Sequence, residues 1–133
     1  GAYNKRIKNV RTSNDWLTRD ETVVDEYNAG KLTTFLFTVN GYRGLMNMIL
    51  YVRKPRNIAK IPKNLPMLMV SGLDDPVGEY GKGVYRAYNT YHGHIDDIDL
   101  RLFEDCRHEL CNELNKEEIY EEIYGWIVDH MNK

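Results

Sequence analysis

The order of apolar and polar residues predicts two strands and two helices in the second half of the chain. Residues 67–70 form a short continuous apolar run, typical of a strand buried on both faces, and a dense turn signal follows at 71–76. Residues 98–103 alternate apolar and polar side chains, the pattern of a half-buried strand. Apolar side chains at helical spacing predict helices over 81–91 and 115–131. This order predicts a βαβ unit with parallel strands and a right-handed crossover.

The first half of the chain is predicted to be helical after an irregular polar N-terminal stretch. Thr18 and Glu21 have the spacing of a capping box, which predicts a helix start at Thr18, and Gly30 is the expected stop. A longer helix is predicted over 33–53 from its aromatic, methionine and leucine content. Pro55 is expected to end that helix, because proline cannot continue it.

The composition excludes several classes of function. The 133 residues suffice for one domain with a modest core, and the apolar (42%) and charged (29%) fractions are those of an ordinary soluble protein. A net charge of -2 without long like-charged blocks leaves no electrostatic footprint for nucleic acid or anionic lipid. No apolar run is long enough to span a bilayer, and the polar N-terminus is unlike a signal peptide. Two cysteines, Cys106 and Cys111, are typical of free thiols in a reducing compartment, so we expect a cytoplasmic protein.

Two loops that carry candidate chemistry follow the predicted strands. Asp74 and Asp75 come after the first strand, and His108 lies in the loop after the second. Because the carboxyl ends of parallel strands meet at one edge of a sheet, these side chains are expected to lie near each other. A carboxylate that orients an imidazole, which takes a proton from a serine hydroxyl, is the second half of a Ser–Asp–His triad. From the residues alone, a turn-forming aspartate and a surface histidine remain alternatives.

A second group of titratable residues precedes the second predicted strand. The group contains His92, His94, Asp96, Asp97 and Asp99, and alternate residues of a strand point the same way, so two or three metal ligands are conceivable. A solvated loop at the end of a helix explains the same residues more simply. We therefore predict no metal site.

Two segments resemble a known family of hydrolases. Residues 65–78 (LPMLMVSGLDDPVG) resemble the strand and acid loop of the lysophospholipase and monoacylglycerol lipase-like enzymes, the serine aminopeptidase-like family of α/β-hydrolases. Residues 102–109 (LFEDCRHE) resemble the histidine loop of that family. Residues 15–21 and 35–38 resemble the helical cap of its bacterial members. The likeness therefore extends over nearly the whole chain.

The resemblance implies an α/β fold. The chain would be the C-terminal portion of an α/β-hydrolase fold, a βαβα unit with two parallel strands, joined to an α-helical cap segment. The cap segment would occupy residues 1–56 and the core portion residues 57–133.

The resemblance also implies roles for particular residues. Asp75 is the expected triad acid, since it is the fourth residue of the Gly-Leu-Asp-Asp turn, and Asp74 is its rival. His108 is the expected general base. No metal and no organic cofactor are implied. Five residues of the cap are expected to line an acyl-chain pocket, with ordinary packing as the alternative for each: Trp16, Phe35, Phe37, Tyr42 and Met46.

The chain departs from the family pattern in lacking a Gly-x-Ser-x-Gly nucleophile motif. Its only serines are Ser13 and Ser71, and neither sits in such an elbow. We therefore expect a fragment of a serine ester hydrolase whose nucleophile lies outside these residues, inactive alone, with a monoacyl lipid or small ester as substrate. The alternative is a non-catalytic module for dimerisation or ligand binding. A bare edge on the strand at 67–70 would also favour a homodimer, through that edge or through the cap.

Overall fold

The computed structural model describes residues 2–131 and confirms the predicted strand–helix–strand–helix order of the second half. The elements are α1 (Glu21–Ala29), α2 (Val39–Val52), α3 (Pro55–Ile58), β1 (Met67–Gly72), α4 (Lys82–His92), β2 (Ile98–Phe103) and α5 (Lys116–Met131). Short 3-10 helices lie at Ala2–Asn4 and Leu110–Asn112. None of the helices among the described residues is both long and apolar enough to cross a membrane.

β1 and β2 form a parallel ladder with a helix on each face. The register pairs Val70 with Arg101 and Gly72 with Phe103, so Val70 and Phe103 point to the same face. On that face both pack against Cys106 and Ile119, which places α5 there. Leu102 points to the opposite face, where it lies beside Gly81 at the start of α4. The crossover helix and the last helix thus enclose the sheet from two sides.

Burial of β1 differs from the prediction. Residues 67–70 were expected to be buried on both faces, whereas they are only half-buried, and the strand continues to Ser71 and Gly72, which are buried. The physical reason is that β1 pairs on one edge alone: within residues 2–131 its only strand partner is β2. No strand covers the second edge of β1 within these residues, so the side chains of residues 67–70 stay partly exposed.

The start of α1 differs from the predicted capping box. Asp20 is the N-cap, and its carboxylate accepts from the amides of Thr22 and Val23. Thr18 is buried and donates instead to the carbonyl of Asn112 at 2.7 Å, so the prediction of Thr18 as the cap is wrong. The Thr18 hydroxyl also accepts from the amide of Asp20 at 3.1 Å, one residue before the helix begins, so it caps no amide of α1 itself. The predicted stop at Gly30 is confirmed.

α2 is shorter than the helix predicted over 33–53. The hydroxyls of Thr33 and Thr34 donate back to the carbonyl of Gly30, which holds this stretch in a turn, as local threonine bonds often do. The helix begins after Thr38, whose hydroxyl accepts from the Gly41 amide. It ends at Val52, and Pro55 opens α3 rather than ending α2, because proline suits a first helical turn.

α5 buries only part of its apolar side. Ile119 is fully buried and Trp126 donates its indole N–H to Asp99 at 2.7 Å, but Ile127 is 42% exposed. α2 buries no side chain at all, so its apolar residues face outward.

The N-cap assignment predicts the effect of one substitution. Asp20→Ala removes the acceptor for two amides of α1, and we expect the free energy of unfolding to fall by about 1 kcal/mol. Asp20→Asn is the matched control, because its amide oxygen accepts the same bonds. Urea-induced unfolding followed by circular dichroism measures both. Equal losses in the two variants, or none in Asp20→Ala, would contradict the assignment.

Candidate active site

The loops that follow β1 and β2 are in direct backbone contact. The amide of Leu73 donates to the carbonyl of Phe103 at 2.8 Å, and the amide of Asp74 donates to that of Cys106 at 2.9 Å. Gly72, the last residue of β1, lies against the backbone of the second loop. A Cβ on Gly72 would come closer than 3.0 Å to the carbonyl oxygen of Cys106. Only glycine allows this approach, which brings both loops to one edge of the sheet.

Asp75 and His108 meet at this edge. Nδ1 of His108 lies 3.0 Å from Oδ2 of Asp75. An ionised carboxylate only accepts hydrogen bonds, so Nδ1 donates to it, and in the neutral form of the imidazole the lone pair is then on Nε2. The side chain of Asp75 is 8% exposed, whereas that of His108 is 37% exposed. Asp74, the rival acid, is exposed. Its hydrogen bond to Cys106 is made by the backbone amide and not by the carboxylate.

The turn that carries Asp75 is held by its own backbone. The second carboxylate oxygen, Oδ1, accepts from the amide of Val77 at 2.8 Å, and the Asp75 carbonyl accepts from the amide of Tyr80. Glu79, Tyr80 and Gly81 all have positive φ, at 53°, 57° and 83°. Left-handed backbone at a non-glycine residue costs about 1–2 kcal/mol, and such strain is often found beside functional groups.

The loop that carries His108 is bonded to the N-terminal segment on both sides of the histidine. The guanidinium of Arg107 donates from Nη1 to the carbonyls of Asp15 and Thr18, at 2.6 and 2.9 Å. The amide of Glu109 donates to the carbonyl of Leu17 at 2.7 Å. The position of His108 therefore depends on residues about 90 places earlier in the chain.

A buried carboxylate supports the same loop. Glu113 is fully buried, and it accepts from the Arg107 amide at 2.6 Å and from Nε of Arg19 at 2.9 Å. Desolvation works against the charged form of Arg19, but the hydrogen bond and charge of Glu113 outweigh it and raise the pKa of Arg19. Burial, with a smaller effect from the charge of Glu113, also raises the pKa of Cys106, which favours a neutral thiol.

Glu113, Arg107 and Arg19 were not singled out from the sequence. Charged residues are common on protein surfaces, so the presence of arginine and glutamate near a candidate histidine does not by itself predict that they support the site. Their partners are recognisable only after folding, because the bond between Arg19 and Glu113 joins residues 94 places apart.

Trp16 packs against the imidazole of His108. The two ring centroids are 5.0 Å apart and the planes are inclined at 49°. The indole also contacts the ring of Tyr3, with the ring centroids 4.8 Å apart. The imidazole therefore has a carboxylate at Nδ1 and an aromatic ring against it.

Most of the chain matches the model of one hydrolase family. Residues 2–115 match the model described as Serine aminopeptidase, S33. The chain belongs to this α/β-hydrolase family. No curated protein sequence matches it significantly.

Solved structures have the same fold as this family member. A highly thermostable carboxyl esterase from Bacillus coagulans, in complex with glycerol, superposes with a TM-score of 0.79 at 24% identity, over 97% of this chain and 41% of the esterase. A lipase in an open form gives a TM-score of 0.81 at 23% identity, over 96% of this chain and 42% of the lipase. The chain spans about two fifths of the length of each, and it corresponds to part of an α/β-hydrolase fold.

The five residues predicted to line a pocket in this serine aminopeptidase family member divide into two groups. Trp16 lies beside His108, as described above. Phe35, Phe37 and Tyr42 form a separate exposed cluster, with successive ring centroids 5.2 and 5.5 Å apart. Met46 is also exposed, one helical turn beyond Tyr42. Their role in binding an acyl chain stays a prediction.

Neither serine of this family member is bonded to the histidine. Ser71 is buried on β1, and its hydroxyl donates to the carbonyl of Gly72. Ser13 is exposed, and no hydrogen bond to His108 is recorded for either serine within residues 2–131.

The acidic and histidine residues considered as metal ligands are dispersed. Nε2 of His94 is hydrogen-bonded to the carbonyl of Ile61 at 2.7 Å. Among the residues that the structure describes, only Asp97, Asp99 and His130 bring potential ligand atoms within 4.8 Å of one another. Asp99 already accepts from the indole of Trp126, and Nε2 of His130 lies 3.4 Å from Asp97. Contacts within the group and with Trp126 thus engage all three side chains.

The contact at Gly72 predicts a sharp difference between two glycines. Gly72→Ala forces the two loops apart, and we expect it to lower the free energy of unfolding by about 1–3 kcal/mol, as overpacking does. The amide of Asp74 should then exchange its hydrogen faster, because its bond to Cys106 is broken.

Gly125→Ala is the matched control, since nothing lies within 4 Å of a Cβ at that helical position. This variant should be as stable as the unsubstituted protein or more stable, because alanine favours helix. Thermal unfolding and amide hydrogen exchange measure both variants. Equal behaviour of the two would show that the loops do not depend on Gly72.

Proposed function

We propose that this chain supplies the acid and the base of a serine ester hydrolase. The observation that carries the proposal is the hydrogen bond from Nδ1 of His108 to the nearly buried carboxylate of Asp75. Because the chain belongs to a hydrolase family, a catalytic role explains this pair better than an ordinary surface contact does. The nucleophilic serine belongs to a part of the protein outside these 133 residues.

In this proposal each group has one role in acyl transfer. Asp75 holds the imidazole in the tautomer with hydrogen on Nδ1, so the lone pair on Nε2 takes the proton of the serine hydroxyl as the oxygen attacks the acyl carbon. The carboxylate then stabilises the imidazolium. His108 gives the proton to the leaving alcohol. In the second half of the reaction His108 takes a proton from water as the water attacks the acyl carbon, and it returns that proton to the serine oxygen as the acid is released. The steps need no metal and no organic cofactor.

The proposed substrate is a monoacyl lipid, such as a lysophospholipid or a monoacylglycerol, or a small ester. The two similar structures are named as a carboxyl esterase and a lipase, which supports an ester bond. The exposed cluster of Phe35, Phe37 and Tyr42, with Met46 beside it on α2, offers apolar surface suited to an acyl chain.

We propose a cytoplasmic location. Both cysteines, Cys106 and Cys111, are free thiols, and such thiols persist where the compartment is reducing.

Substitution of the pair tests the proposal in the protein of which this chain forms part. Asp75→Asn and His108→Ala should each lower kcat on a chromogenic short-chain ester by about 10³-fold or more, because triad members act as a unit. Asp74→Asn is the matched control one residue away and should retain most of the activity. If Asp75→Asn and His108→Ala hydrolyse the ester normally, the proposal is wrong. If Asp74→Asn alone is inactive, the acid is misassigned.

A second candidate function is a non-catalytic dimerisation or ligand-binding module. The observation that favours it is the edge of β1 without a strand partner in residues 2–131. The amides of Met67 and Leu73 donate toward β2, so by alternation the amide of Leu68 points to the open edge.

This alternative predicts a homodimer that depends on one amide. Leu68→Pro removes a donor from the open edge and should give a monomer, whereas Leu68→Ala keeps the amide and should stay dimeric. Light scattering over a range of protein concentrations measures the mass. A monomeric unsubstituted protein at high concentration would exclude the dimer.

A further inference from the structure

We propose that Trp16 is a positioning residue for His108 rather than part of an acyl-chain pocket. The inference rests on the proposed function, because it concerns the histidine assigned there as the base. It goes beyond that function by giving a role to a residue outside both strand loops.

The contacts of the imidazole explain why a second group is needed. The hydrogen bond from Nδ1 to Asp75 fixes one atom of the ring. A single bond of this kind still lets the ring plane turn about that atom, since the terminal torsion of histidine is broad. The indole of Trp16 lies against the ring, 5.0 Å away between centroids, so such a turn would disrupt the contact between the two rings. Together the two contacts set the direction of Nε2, the atom that must face the nucleophile.

Trp16 itself is placed by bonds that join its neighbours to the neighbours of His108. Arg107, which precedes the histidine, donates to the carbonyl of Asp15, which precedes the tryptophan. Glu109, which follows the histidine, donates to the carbonyl of Leu17, which follows the tryptophan.

The tryptophan and the histidine are thus the middle residues of two short segments bonded to each other at both ends. The indole is also in contact with the ring of Tyr3, with the ring centroids 4.8 Å apart. Such support is what holds a reacting group within the narrow tolerance that catalysis requires.

The remaining predicted pocket residues support this distinction. The cluster of Phe35, Phe37 and Tyr42 has ring contacts within itself, and among the described residues no ring contact joins it to Trp16. An acyl-chain pocket centred on that cluster does not require the tryptophan.

Two substitutions separate positioning from substrate binding. Trp16→Leu keeps apolar bulk but removes the ring, and Trp16→Phe keeps a ring against the imidazole. In the protein of which this chain forms part, Trp16→Leu should lower kcat about 10- to 100-fold, because misplacing a reacting group by 1 Å has an effect of this order. KM should stay nearly unchanged for both short- and long-chain chromogenic esters. Trp16→Phe should recover most of kcat.

The hydrogen on Nδ1 of His108 gives a readout that is independent of activity. In the unsubstituted protein, proton NMR should show a downfield resonance for it, which His108→Ala removes and thereby assigns. Trp16→Leu should broaden this resonance through exchange with water, and Trp16→Phe should retain it. The Trp16→Phe spectrum also decides the matter if Trp16→Leu does not fold: a resonance lost in Trp16→Phe, with the rest of the spectrum intact, overturns ring support by an aromatic side chain.

The second tryptophan of the chain supplies a matched control. Trp126 stacks on His130 with ring centroids 4.0 Å apart, and its indole N–H donates to Asp99 near the start of β2, whereas His108 follows the end of that strand. Trp126→Leu therefore removes a tryptophan–histidine contact of the same kind away from the dyad, and kcat should not change. An equal loss of kcat in both leucine variants would mean a general loss of stability and would overturn the inference.

The other outcomes are separable from failure of the proposed function. If Trp16→Leu raises KM for long-chain esters and leaves kcat unchanged, Trp16 lines the pocket and the inference is wrong. If Asp75→Asn and His108→Ala are fully active, the proposed function itself fails, whatever the Trp16 variants do.

Discussion

The parallel ladder between β1 and β2 ends at Gly72, and the arrangement of the candidate site depends on that residue having no side chain. The two strands would bring their following loops to one edge in any case. The absence of a Cβ lets the backbone of the second loop approach the end of β1, so that the amide of Asp74 reaches the carbonyl of Cys106. At this separation the carboxylate of Asp75 reaches Nδ1 of His108. The electrostatic interaction between Asp75 and His108 thus depends on a steric condition, which is the absence of a side chain at Gly72.

The second support of the site comes from the beginning of the chain. The segment before α1 contributes backbone carbonyls to the histidine loop, and Glu113 binds both this segment, through Arg19, and the loop, through the Arg107 amide. A fully buried carboxylate is unfavourable unless it is paired and hydrogen-bonded, which explains why so many donors converge on it. The N-terminal segment therefore belongs structurally with the edge of the sheet that carries the dyad.

Local patterns in the sequence predicted the strands and helices best. The alternation over Ile98–Phe103 gave the bounds of β2, and helical spacing placed α4 and α5 to within a residue. Local patterns predicted less well where one side chain had two possible partners. Thr18 has the type and spacing of an N-cap, but its hydroxyl binds Asn112, and Asp20 caps α1 instead. The bounds of α2 were wrong for a similar reason, since Thr33 and Thr34 bond back to Gly30.

The amino-acid sequence by itself determined the order of strands and helices and brought an aspartate and a histidine to the ends of neighbouring strands, because periodicity and strand polarity are properties of short segments. The pattern of residue types left open which aspartate faces the histidine, although the family resemblance favoured Asp75, and it gave no indication of what surrounds the ring. The tertiary structure decided both: Asp75 is turned inward while Asp74 is exposed, and Trp16 lies against His108. These features depend on contacts between residues far apart in the chain, and the spacing of residue types does not encode which distant side chains will meet.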